Sequence, residues 1–286
     1  MSGSHVPLRT AAAAVMILTA AACGQSQPPA TASGQDPGIG HVHGVGVDPA
    51  DGAIYIAGHY GLFRVKDAES AERVAGRVQD HMGFTVVGPR TFLASGHPGD
   101  TSTAASPHLG LIRTSDAGRT WTTVSEEGTA DFHALQPAGD ALYAFDSQSG
   151  RLRRSADGGQ SWTPGAEEPM IDLAADLTTV YATTPDGLKV SRNGGMDFDR
   201  VANAPLLSHV ESPAEDTLTG TGVDGRIHTS RDGGTTWQAD GKLPGPASAF
   251  TAVDAQRLLA ATDDGTVLES RDGGRTFSTV FRPANG

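Results

Sequence analysis

The chain has 286 residues, of which 37 are glycine, 17 are proline and only 6% are aromatic, with a formal net charge of −12. Glycine and proline near a fifth of the chain, without a three-residue period, exclude collagen and point to a turn-rich globular protein long enough to bury a large core. An acidic chain with no basic run excludes a binder of nucleic-acid backbones, which needs clustered positive charge.

The first 23 residues read as an address. Arg9 and the amino terminus carry positive charge, an apolar run of about a dozen residues follows from Ala11, and small residues lead to Cys23. That run is too short to span a bilayer. The small-small-Cys ending resembles a bacterial lipobox, which implies a lipoprotein signal peptide over 1–22, a lipidated Cys23, and a protein anchored by that lipid to the outer, extracytoplasmic face of the bacterial cell membrane. Cys23 is the sole cysteine, so no intrachain disulfide can form. Residues 23–40 lack apolar periodicity and read as a flexible tether, with 41–286 as the folded domain.

That domain is a repeat. Thr114–Trp121, Ser155–Trp162, Ser191–Phe198, Ser230–Trp237 and Ser270–Phe277 share one pattern, S/T-x-D/N-x-G-x-x-W/F, with starts 41, 36, 39 and 40 residues apart. Asp-Gly-Gly is strong hairpin-turn chemistry, and each copy follows a short apolar-alternating run. The pattern resembles the Asp-box, or BNR, repeat of sialidases, sortilin-type receptors and related β-propellers. The resemblance implies an all-β six-bladed propeller with four antiparallel strands per blade and the Asp-box at the third turn. Blades are expected at about 41–78, 79–127, 128–168, 169–204, 205–245 and 246–283, the first lacking an Asp-box. Asp116, Asp157, Asp232 and Asp272, with the degenerate Asn193, are then structural, and Trp121, Trp162, Phe198, Trp237 and Phe277 pack on the neighbouring blade. A monomer is expected.

Seven of the ten histidines fall between His41 and His133. In a propeller, His41, His43, His81 and His133 lie at the starts of innermost strands, and His59 and His97 on second-to-third-strand connections of the same face. All six are therefore expected at one mouth of the central channel. Imidazoles suit a transition metal, and the Met82 thioether would favour copper over zinc. A second reading is a glycoside hydrolase using Asp80, Asp131, Asp172 or Glu211 as acid, base or nucleophile. A third is a protein-docking propeller. The block from His41 to His133 also resembles secreted bacterial lipoproteins labelled glycosyl hydrolase-like. Classical sialidase chemistry is not expected: the Arg-Ile-Pro motif is absent, and most of the arginines near blade positions lie in Asp-boxes or third strands. The expected partners are thus the membrane, through the lipid, and a metal, glycan or other small ligand at the mouth.

Overall fold

Twenty-four strands in six sheets make up the structure, a computed structural model that describes residues 1–3, 36–99 and 106–283. Cys23 and most of the leader and tether lie outside the described residues. The chain divides into Met1–Asp36 and Pro37–Gly286, and every described strand belongs to the second unit.

The first sheet holds β1 (Val42–Val47), β2 (Ile54–Gly58), β3 (Gly61–Val65) and β4 (Ala71–Arg73). The second holds β5 (Gln79–Gly88), β6 (Thr91–Pro98), β7 (Leu111–Thr114) and β8 (Thr122–Ser125). Next come β9 (Phe132–Ala138), β10 (Ala141–Asp146), β11 (Arg151–Ser155) and β12 (Thr163–Glu167). The fourth comprises β13 (Asp172–Ala175), β14 (Val180–Thr184), β15 (Gly187–Ser191) and β16 (Asp199–Arg200). The fifth comprises β17 (Leu207–Ala214), β18 (Thr217–Gly222), β19 (Arg226–Ser230) and β20 (Gln238–Lys242), and the last β21 (Ala247–Ala252), β22 (Leu258–Thr262), β23 (Val267–Ser270) and β24 (Ser278–Phe281). Each sheet is a contiguous antiparallel meander, so the protein is the expected six-bladed β-propeller.

The core is distributed over six clusters, one between each pair of neighbouring blades. Along a middle strand such as β2, Ile56 faces the cluster shared with the last blade while Tyr55 and Ala57 face the one shared with the second. Both faces of a blade are thus apolar, and no blade buries its surface alone. The ring closes without a shared sheet. Val42, Val45 and Val47 pack against Ala249, Leu259 and Phe281, Thr251 Oγ1 donates to Val45 O at 3.0 Å, and Arg282 N donates to Ala68 O at 2.8 Å.

The repeated turn joins the third and fourth strands of blades two to six. In the second blade, Thr114 Oγ1 donates to Asp116 Oδ1 at 2.8 Å and accepts from Gly118 N at 2.9 Å. Thr120 N and Oγ1 then close on the same carboxylate at 2.9 and 2.7 Å. The same bonds recur around Asp157, Asp232 and Asp272. Hydrogen bonds from Ser161 and Thr276 hold Asp157 and Asp272 down to about 2. These carboxylates are committed acceptors within their turns. The aromatic ring that ends each turn packs on the cluster shared with the preceding blade: Trp121, Trp162, Phe198, Trp237 and Phe277 in order.

The fourth blade exchanges donor and acceptor. Asn193 stands where the others have Asp, Asp197 where they have Ser or Thr, and Asn193 Nδ2 donates to Asp197 Oδ2 at 3.1 Å. Asn193→Asp alone is expected to set two carboxylates face to face and destabilise the protein by about 1 kcal/mol, a small figure because the pair is exposed. Adding Asp197→Thr should recover the loss, read as coupling in a double-mutant cycle of thermal melts. Additive effects would refute the exchange.

Candidate functional site

The six innermost strands line a central channel of about 430 Å³. Five of them carry a register irregularity near their start, at the second residue or, in β5, the fourth. In β1 the pairing jumps from Val42 to Gly44, in β5 from His81 to Gly83, and in β9 from Phe132 to Ala134. His43, Met82 and His133 are the extra residues, and Ser208 and Ser248 are their counterparts in β17 and β21. A bulge redirects its extra side chain out of the sheet's alternation. It is followed by glycine in the first two blades, which lets neighbouring strands close up. A Cβ on Gly83 would lie 2.3 Å from Phe132 O, and one on Gly44 2.9 Å from Phe84 Cβ.

The result is an arc of imidazoles and carboxylates over blades one to three. The His43 ring lies 4.9 Å from that of His41 and 4.6 Å from that of His59. His59 Nδ1 stands 3.2 Å from Asp80 Oδ1, and His97 Nδ1 stands 3.1 Å from Asp80 Oδ2. His97 Nε2 is in turn 3.3 Å from Asp131 Oδ2, which His133 Nε2 approaches to 2.9 Å and Ser147 Oγ to 3.1 Å. Asp131 is nearly sealed from solvent. Its amide donates to Asp146 Oδ1 at 3.2 Å, and Arg153 holds Asp146 from below at 2.7 Å.

Two sets of three donors stand out: His43, His59 and Asp80, and His97, His108 and Asp131. Within each set the ligand atoms lie within 4.8 Å of one another. His108, which precedes β7, was not among the residues the sequence brought to the mouth. It sits on the connection that leaves β6 just after His97, and that placement is the signal that could have found it. His43 Nε2, His108 Nδ1 and Asp131 Oδ1 are buried and lack a hydrogen-bond partner among the described residues. Burial, followed by repulsion from His59, pushes His43 down to about 4, so its ring is a neutral ligand at ordinary pH. Burial works to raise Asp131, but the bonds and charge of His133, with His97 and Ser147, leave it lowered and hence anionic. Neutral imidazole beside carboxylate is the donor chemistry of zinc and of other borderline transition metals.

Other expected residues fall elsewhere. His81 is buried against Trp121, ring centroids 5.3 Å apart, and belongs to neither donor set. Met82 is half-buried at the bulge position that His43 and His133 occupy in their blades. Asp172, His209 and Glu211 line the channel from blades four and five. Burial raises Asp172 despite the opposing pull of His209 and a 2.9 Å bond from Val210 N, and burial with the Asp172 charge raises Glu211 well above the usual carboxylate range.

No family model and no curated protein matches the chain. Among solved structures it is similar to YCF48 bound to D1 peptide, at 14% identity and TM-score 0.54 over 85% of this chain and 83% of that one. It is also similar to a nidogen/laminin complex, at 12% identity and TM-score 0.61 over 81% and 93%. An ancestral GH74 enzyme matches at 15% identity and TM-score 0.52 over 86% of this chain, which spans 39% of that enzyme. At these identities the likeness establishes the β-propeller fold alone.

Proposed function

We propose that this protein binds a transition-metal ion, zinc or copper, at the mouth of its channel, and does so as a monomeric lipoprotein held to the outer face of the bacterial membrane through Cys23. The observation that carries the metal reading is the pairing of convergent donors with unsatisfied atoms. His43 Nε2, His108 Nδ1 and Asp131 Oδ1 are buried without hydrogen-bond partners among the described residues, each residue inside a set of three donors. A buried polar atom left unpaired costs about 1–3 kcal/mol, and an ion would remove that cost. The Asp-box pattern and the leader support placing it among secreted bacterial propellers of the sialidase-like type.

Elemental analysis of the purified protein, with zinc and copper titrations, tests the reading. Loss of outer hydrogen-bond partners alone typically weakens metal binding 10–100-fold, so the double variant His43→Ala/His108→Ala should lose at least about 100-fold while keeping its strand circular dichroism. Absence of zinc and copper binding by the native protein would sink the proposal.

A second reading rests on Asp172 and Glu211. A channel carboxyl whose pKa is raised by burial is what a general acid requires, so the same wall could serve a glycoside hydrolase of non-sialidase mechanism. A chromogenic-glycoside screen tests this: turnover lost in Glu211→Gln would support it, and no turnover would refute it.

A further inference from the structure

Building on the metal reading above, we infer that the mouth takes two ions in separate sites, coupled through the Asp80–His97 contact. The two donor sets share no residue. Tetrahedral zinc, with ligands at about 2.0–2.2 Å, needs its donor atoms roughly 3.4 Å apart, so side-chain movements of about 1 Å would close either set on an ion.

The His97 ring stands between the sets. Its Nδ1 edge faces Asp80 Oδ2 at 3.1 Å and its Nε2 edge faces Asp131 Oδ2 at 3.3 Å. A single ion cannot use both Asp80 and His97 Nε2, because the imidazole separates them. Each atom instead has its own task. Asp80 Oδ1, beside His59 Nδ1, is a ligand of the first site. Asp80 Oδ2 accepts the proton on His97 Nδ1, which fixes the tautomer whose Nε2 lone pair is free for the second site. A carboxylate that orients a ligating histidine in this way raises its basicity. Here that same carboxylate is also a ligand of the neighbouring ion. In the second site, His133 and Ser147 already occupy Asp131 Oδ2, while Oδ1 has no hydrogen-bond partner among the described residues.

This arrangement sets the sign of the coupling. An ion in the first site withdraws charge from Asp80, weakens its hold on His97, and adds a cation beside the second site. Binding should therefore occur in two steps, the second weakened by a factor within the usual 5–150-fold range of coupling between sites.

Isothermal titration of the metal-stripped protein with zinc chloride, with zinc counted after gel filtration, provides the test. The native chain should take two equivalents in two steps. His59→Ala should lose one equivalent and keep the other at equal or tighter affinity, and His108→Ala should lose the opposite one. Asp80→Ala should lose the first and weaken the second by about 10–100-fold, the usual cost of removing an orienting partner. Melts without metal verify the fold, and His59→Gln and His108→Gln substitute if an alanine variant fails to fold. One equivalent at saturation, or both equivalents abolished by either single substitution, would overturn the two-site inference and leave a one-ion protein. No zinc bound by the native chain would overturn the metal reading itself.

Discussion

Gly195→Ala is expected to destabilise the protein by about 2–4 kcal/mol, while Gly194→Ala in the same turn should cost about 1–2 kcal/mol. Both glycines have left-handed backbones, with φ of +74° at Gly194 and +85° at Gly195. An L-residue pays the backbone cost at either position. What differs is the space. A Cβ on Gly194 would make ordinary contacts with the flexible Arg154 side chain, at 3.7 Å, and the Tyr143 hydroxyl, at 4.0 Å, whereas one on Gly195 would lie 2.0 Å from Leu152 Cδ2. Leu152 belongs to the preceding blade and is fully buried in the cluster shared by blades three and four. Gly195 also donates its amide to Ser191 Oγ at 2.8 Å and accepts from Ala166 N of the preceding blade at 2.9 Å, so the turn cannot slide away to make room. A protein of this size loses roughly 2–4 °C of melting temperature per kcal/mol, which separates the two variants by several degrees. Equal losses would mean that the turn is not a packing element between blades.

That geometry explains why the fold was legible. In four of the five turns the glycine two residues after the Asp or Asn lies against the third strand of the preceding blade: Gly118 on Leu62, Gly159 on Leu111, Gly195 on Leu152 and Gly274 on Ile227. One short motif therefore sets a local turn, a donor pattern and the contact to the next unit. Its recurrence along the chain amounts to a count of blades. The first blade has no such turn, yet its Ile54–Val65 hairpin reads like the others because β-branched residues alternate about a tight glycine turn. Ring closure was not legible, because it depends on packing between Val45 and Thr251, which share no local signal.

The site was legible as a neighbourhood and less so residue by residue. Placing histidines at strand starts and second connections located His41, His43, His59, His97 and His133 near one another. Direction along a strand was harder, because the bulge breaks simple alternation. Aligning the strand starts resolves it: His41-Val42-His43, Asp80-His81-Met82 and Asp131-Phe132-His133 occupy the same three positions. The first joins the arc of imidazoles and carboxylates in all three blades, the third joins it in the first and third blades, and the second is buried in the interior. His81 is thus equivalent to Val42 and Phe132, and Asp80 to His41. The pairing of Asp80 with His97 required coordinates, since it follows from the β5–β6 register, in which the two stand directly opposite.

His81→Leu should therefore stabilise the metal-free protein, and increasingly so in acid. His81 is 1% exposed, its Nδ1 has no partner among the described residues, and the equivalent residue of the fifth blade is Leu207. Burial, acting against the neighbouring Asp80 and with Arg77 and His43, pushes its ring down from 6.5 to about 4. A folded-state value below the unfolded one means that the folded form resists protonation. The stability is complete above about pH 6.5 and drains away as pH falls towards 4. By about pH 4.5 the linkage amounts to roughly 2–3 kcal/mol for this one group. Leucine removes that loss and the unpaired nitrogen together, so the gap between variant and parent should widen from about 1 kcal/mol at neutral pH to roughly 3 kcal/mol in acid. His43, also at about 4, titrates over the same range and keeps part of the slope in the variant. Asp157 and Asp272, held near 2, act only at lower pH. Urea unfolding between neutral and mildly acid pH, with chelator present, measures the effect. Parallel stability curves for parent and variant would show that His81 is not the buried neutral group this geometry makes it. Because its ring faces Trp121 and not the donor sets, zinc stoichiometry in the same variant should equal that of the parent.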